Sequence, residues 1–206
     1  MKALLLKDFY LLRRYGKTYT IMLLLYGVFA YFTKNVFFIT GVSAGLMAVL
    51  PFTTFTCDKE CNWNGYALTA PVSRRTFAVE KYIMVLGILA VGELVTMVVV
   101  GIVYLIAPDI ISWGEITGTM IGVLIMGIFN NSITIPAVIK FGPEKGRFFM
   151  IGGLLLPMAI LVPVVKLLPD SFSFYSVMLG GAGILLIMFI GSILLSVHLC
   201  EKLEAN

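Results

Sequence analysis

Residues Tyr82–Ala107 read YIMVLGILAVGELVTMVVVGIVYLIA, an apolar run interrupted by one ionisable side chain, Glu93. About 20 apolar residues in a helix cross the roughly 30 Å hydrocarbon core of a bilayer, so this stretch is long enough to span it. The run shows no alternation of apolar and polar residues, which rules out a barrel strand. A helix is then the structure that satisfies its own backbone in lipid. Read outward, the chain holds five more such runs: Thr18–Phe32, Asn35–Thr56, Ile116–Ile139, Phe148–Val165 and Phe174–His198, the first of them the shortest. Composition agrees, with 60% hydrophobic and 13% charged residues in a chain of 206 and a mean hydropathy of +1.01. Soluble domains are about 45–50% apolar and about 25% charged. The expected fold is an all-α integral membrane protein with six transmembrane helices in one domain, residues 1–206. Six crossings leave no room for an appended nucleotide-hydrolysing, receptor or DNA-binding domain.

Orientation follows from Lys and Arg, which favour the cytoplasmic side. Only Lys34 and Lys166 fall on one side, and the other 13 of the 15 fall opposite. Six spans with that bias place both termini in the cytoplasm of a multi-pass protein. The net charge of +4 is then topology, and no nucleic-acid partner is expected. The outer connections are short. The cytoplasmic ones are 57–81 and 140–147, which points to a cytoplasmic partner. Residues 1–15 read as an amphipathic helix with Leu5, Phe9 and Leu12 on one stripe. Such a segment lies in the membrane interface among lipid headgroups or extends the first span, with a break expected at Gly16-Lys17. Lys7 and Asp8 interrupt its apolar run too early for a cleaved signal.

Few residues offer chemistry. A phosphate-cradling loop needs G-x-x-x-x-G-K-[ST]. Gly16-Lys17-Thr18 supplies only its end, and Leu11 stands where the first glycine belongs. ATP-driven work would therefore need another polypeptide. His198 ends the last span, where it complements the helix C-terminus. Cys57, Cys61 and Cys200 show no metal-site spacing and read as free thiols. No catalytic residue, metal site or cofactor is expected in this chain. Glu93 lies near mid-membrane, where an ionisable group costs about 2.5–3.5 kcal/mol on insertion scales. By depth it should meet Asn130 or Asn131, either as a packing hydrogen bond or as part of a transport path or proton relay. Pro51, Pro136, Pro157 and Pro163 are expected kinks that free backbone carbonyls.

The 57–81 connection carries the most information. Asp58–Leu68 is expected to form a short helix with Trp63 and Tyr66 at i, i+3, ended by Ala70-Pro71. Two large aromatics flanked by charges suit either a groove on another protein or a membrane aromatic belt.

The opening Lys7-Asp8, the loop ending Tyr66-x4-Ala70-Pro71-Val72-Ser73-Arg74-Arg75, and Glu80-Lys81-Tyr82 together resemble the ABC-2 type permeases. The likeness is strongest to the small bacterial permeases of the phenol-soluble-modulin exporter type. Ala70 departs from the leucine usual before that proline. The resemblance implies a homodimer in the bacterial plasma membrane, bound to two ATPase subunits that hold ATP and Mg. By that analogy 1–15 is an elbow helix and 57–81 the coupling loop. Asp58, Glu60, Trp63, Tyr66, Arg74, Arg75 and Lys145 would contact the ATPase, the last from 140–147. The second and fifth spans would line a path for amphipathic peptides or other lipid-like cargo. Two other functions fit the residues: a proton-coupled secondary transporter using Glu93, and a membrane scaffold without transport.

Overall fold

The computed structural model describes residues 2–35, 37–63, 74–106, 113–167 and 174–202. Five helices contain nearly all of them: α1 (Lys2–Thr33), α2 (Phe37–Glu60), α3 (Arg74–Ile106), α4 (Trp113–Leu167) and α5 (Phe174–Lys202). No strand occurs among the described residues. Four stretches are long and apolar enough to cross a membrane, namely Phe38–Glu60, Arg75–Ile106, Trp113–Pro157 and Gly183–Lys202. The segment within α1 falls short of that measure because Tyr19, Tyr26 and Tyr31 dilute an already short apolar run.

Two expected boundaries differ. Residues 1–15 do not form a separate elbow: α1 runs unbroken through Gly16 to Thr33. A glycine inside a helix costs only about 1 kcal/mol relative to alanine, and packing outweighs it. Only part of the stripe assigned to the membrane surface faces the bundle, since Phe9 is exposed. Leu5 and Leu12 lie against a core that includes Met47, Phe55, Tyr82 and Val85.

Nor is 140–147 a loop. The two runs expected as separate spans form α4, whose backbone leaves helical geometry only at Gly142, with φ 77° and ψ 167°. That left-handed conformation suits glycine. Pro143 then starts the second leg, where its missing N–H goes unneeded. The legs fold back on each other: Asn130 Nδ2 donates to the Met150 carbonyl at 2.8 Å, and the Phe141 and Phe149 rings stack at 5.6 Å. At Gly153 the approach is so close that a Cβ would stand 2.8 Å from Asn130 Nδ2. Both α2 and α5 pack on this hairpin, and α1 lies across α2 and α3.

Candidate functional site

Three helix segments meet at the end of the bundle where α1 begins, α2 ends and α3 begins. There Lys7 and Asp8 of α1, Asp58 of α2 and Lys81 of α3 form a closed ring of alternating charge. Lys81 Nζ donates to Asp8 Oδ2 at 2.7 Å and to Asp58 Oδ2 at 2.8 Å. Lys7 Nζ pairs with Asp8 Oδ1 at 3.0 Å and donates to Asp58 Oδ1. Each carboxylate thus uses one oxygen for each ammonium. Lys81 and Asp8 are fully buried, and Asp58 is 4% exposed. The Phe55 and Phe77 rings lie 5.1 and 5.5 Å from Lys81 Nζ. Burial alone would raise the Asp8 pKa, but Lys81 and then Lys7 outweigh it and hold the carboxyl below its ordinary value. Glu80 is buried beside this neutral ring, with one oxygen 4.0 Å from Lys81 Nζ.

The ring marks a depth. At about 1.5 Å per residue, Asp8 lies roughly 38 Å from Thr33, Asp58 roughly 32 Å from Phe37 and Lys81 roughly 38 Å from Ile106. All three are a little more than the ~30 Å of a hydrocarbon core, so the ring lies about one bilayer core's thickness from the opposite ends of the three helices. Sequence reasoning missed it, reading Lys7-Asp8 and Glu80-Lys81 only as parts of separate motifs. The similar distances from the opposite helix ends, all within about one helical turn of each other, were the available signal.

The residues proposed to touch a partner are dispersed. Asp58 is not displayed on a short helix. It belongs to the last turn of α2, which ends at Glu60, and its carboxylate is closed inside the ring. Glu60 is exposed, Trp63 is half-buried, and Lys7 Nζ stands 4.7 Å from the Trp63 ring. Arg75 is exposed and bonds Glu201 of α5. Lys145 is exposed just past the α4 bend, where neighbouring Glu144 pairs with Lys59. That pair joins the two segments read as partner contacts. Tyr66 and the Arg74 side chain lie outside the described residues, as does the rest of 64–73.

Inside the span region the expected Glu93–asparagine bond is absent. Both Glu93 oxygens are buried with no hydrogen-bond partner among the described residues. The asparagines are committed elsewhere. Asn130 bonds the Met150 carbonyl and accepts from Thr134 at 3.1 Å. Asn131 donates to the Gly127 carbonyl at 2.8 Å and reaches the Met47 carbonyl at 3.5 Å. The latter choice has a physical reason. Pro51 has no N–H to offer the carbonyl four residues back, which is that of Met47. Pro136 likewise frees the Ser132 carbonyl, and Ser192 of α5 donates to it at 2.6 Å. The prolines were legible as gaps in the backbone ladder, but the side chains that answer them belong to other helices. Ser192 also bonds the Tyr82 hydroxyl at 2.6 Å, and Ser196 does so at 2.8 Å.

Residues 3–203 match the family described as ABC-2 family transporter protein. The chain belongs to the ABC-2 transporter family. It is therefore a permease component, the membrane part of an ABC transporter, whose family works with an ABC ATPase subunit. No characterised protein and no solved structure matches this permease. Within the permease, the charged ring and the proline-linked polar contacts join its described helices alongside the two apolar clusters and the Ser43–Thr96 bond.

Proposed function

We propose that this permease exports amphipathic peptides or similar hydrophobic cargo as a homodimer bound to two ATPase subunits, as in the bacterial phenol-soluble-modulin exporters it resembles. The observation that carries the reading is the family match over nearly the whole chain. Six crossings follow if α1 and each leg of α4 cross separately. At about 1.5 Å per residue, the 55 residues of α4 reach roughly 82 Å, well beyond a single crossing, and Gly142 folds them back. With 13 of 15 Lys and Arg on one side, the charged ring, both termini and the α4 bend face the cytoplasm of a bacterial plasma membrane. ATP and Mg would be held by the partner. Trp63, Glu60, Lys145 and the adjoining 64–73 segment with Tyr66 form the docking face, with Arg74 and Arg75 beside it. Asp58 acts from within the ring.

Gentle extraction of the tagged chain from its native membrane tests this. A co-purifying subunit of ATPase size with ATP hydrolysis is expected. Trp63→Ala with Tyr66→Ala should cut its recovery about tenfold or more, the loss of roughly 1.4 kcal/mol of docking energy or more. Undiminished assembly with full ATP-dependent transport would remove the docking role. A chain that purifies alone would overturn the ATPase-driven export reading in favour of the second one. That reading, proton-coupled transport, is favoured by the buried and unpartnered Glu93 carboxyl. Its mark would be transport driven by a pH gradient and abolished by Glu93→Gln.

A further inference from the structure

We propose that Lys81 and Tyr82 are positioning residues that carry movement of the α2 end, Asp58–Trp63, into α4 at Pro136. This rests on the permease reading above and names the contacts through which its coupling runs. Consecutive residues on a helix point about 100° apart, and here each faces a different neighbour. Lys81 faces α1 and α2 and closes the charged ring. Tyr82 faces α5, bonding Ser192 and Ser196.

On the loop side, Asp58 precedes the Cys61–Asn62 turn by three residues. Trp63, at the loop's entrance, lies against Lys7. A displacement of the loop that separated any ring member would leave a buried charge uncompensated, so the ring favours moving as one body. On the membrane side, Ser192 joins Tyr82 to the carbonyl that Pro136 frees. A helix bends most readily where a proline has removed the ladder bond. The contacts therefore run without a gap from the loop entrance, through two adjacent residues of α3, to the carbonyl of α4 that Pro136 leaves without its ladder bond.

Stability does not require such a ring, since buried ion networks can be replaced by neutral side chains with little loss. What it adds is a fixed register among three helices. Contiguity becomes coupling only when a change at one end is measured at the other. Cys200 provides the reporter: it is 6% exposed on α5, one helical turn past Ser196, which bonds the Tyr82 hydroxyl.

The experiment uses the full chain with its ATPase in lipid vesicles, carrying Cys57→Ser and Cys61→Ser so that Cys200 is the chain's one thiol. Maleimide labelling of this chain is timed without nucleotide and with ATP plus vanadate. The parent complex should show a change of about fivefold or more between the two states. Tyr82→Phe should reduce that change below about twofold while the ATPase stays bound and active. A neutral-ring variant, Lys7→Met, Asp8→Asn, Asp58→Asn and Lys81→Met together, should do the same, and combining it with Tyr82→Phe should add nothing. Full nucleotide response in either variant overturns the proposal, as does a parent complex that binds its ATPase without any response at Cys200. Absence of a bound ATPase in the parent would instead overturn the ATPase-driven export reading.

Discussion

Lys81→Met is expected to lower stability by about 3–5 kcal/mol, the cost of leaving buried charge uncompensated. The ammonium bridges Asp8 and Asp58 at 2.7 and 2.8 Å, and no water reaches Lys81 or Asp8. Removing it leaves two carboxylates sharing Lys7 alone, with Glu80 close by. Thermal unfolding in mild detergent measures the loss. Stability should return largely when Lys7→Met, Asp8→Asn and Asp58→Asn accompany the change, because a ring with no charges needs no counter-charge. A Lys81→Met protein as stable as its parent would mean that the ring is not closed as described. A neutral quadruple variant no more stable than Lys81→Met would mean that packing by the lysine stem, rather than its charge, holds the site.

Ser192→Ala is expected to cost about 1–3 kcal/mol, the range for leaving a buried acceptor unsatisfied. The affected group is the Ser132 carbonyl, which has no partner within its own helix because Pro136 lacks an N–H. The Tyr82 hydroxyl keeps Ser196 and so adds little to the loss. The control lies in the backbone. In a Pro136→Ala background the Ser132 carbonyl regains an intrahelical donor, and the same Ser192→Ala change should cost less than about 1 kcal/mol. Equal costs in the two backgrounds would show that the serine matters through packing and not through the carbonyl that the proline frees.

The two sites differ in how much of them could be read beforehand. Tyr82–Ala107 announced a membrane helix by itself, since length and apolarity are properties of one segment. So did the runs that became α2, α5 and the two legs of α4. The 140–147 stretch, with Gly142-Pro143 inside it, was legible only as a connection between two spans. That the break occupies a single residue, with no loop around it, depended on φ 77° being available to glycine and on Pro143 restarting the helix at once. At the amino end, Leu5 and Leu12 of the stripe read along residues 1–15 do pack on protein, while Phe9 is exposed. The stripe did not say whether its apolar face met lipid or protein, and contact with the Phe55 and Tyr82 core made it part of α1. Glu93 was found and its partner was not. Depth along a helix fixes one coordinate of a contact, whereas rotation about the helix axis decides whether two side chains at one depth meet.

The sequence by itself determined an all-helical chain with apolar runs of membrane length, and its motifs carried the resemblance to the family that the match over residues 3–203 then showed. These are local or additive properties, set by runs of neighbouring residues. Only the tertiary structure decided that Asp58 closes a ring with Lys7, Asp8 and Lys81 and is not displayed to a partner, and that Asn131 and Ser192 answer carbonyls freed by Pro51 and Pro136. A buried charge or an orphaned carbonyl must find a partner in a medium without water. That necessity is visible in the sequence, but the partner comes from a helix far along the chain, and packing alone brings it within reach.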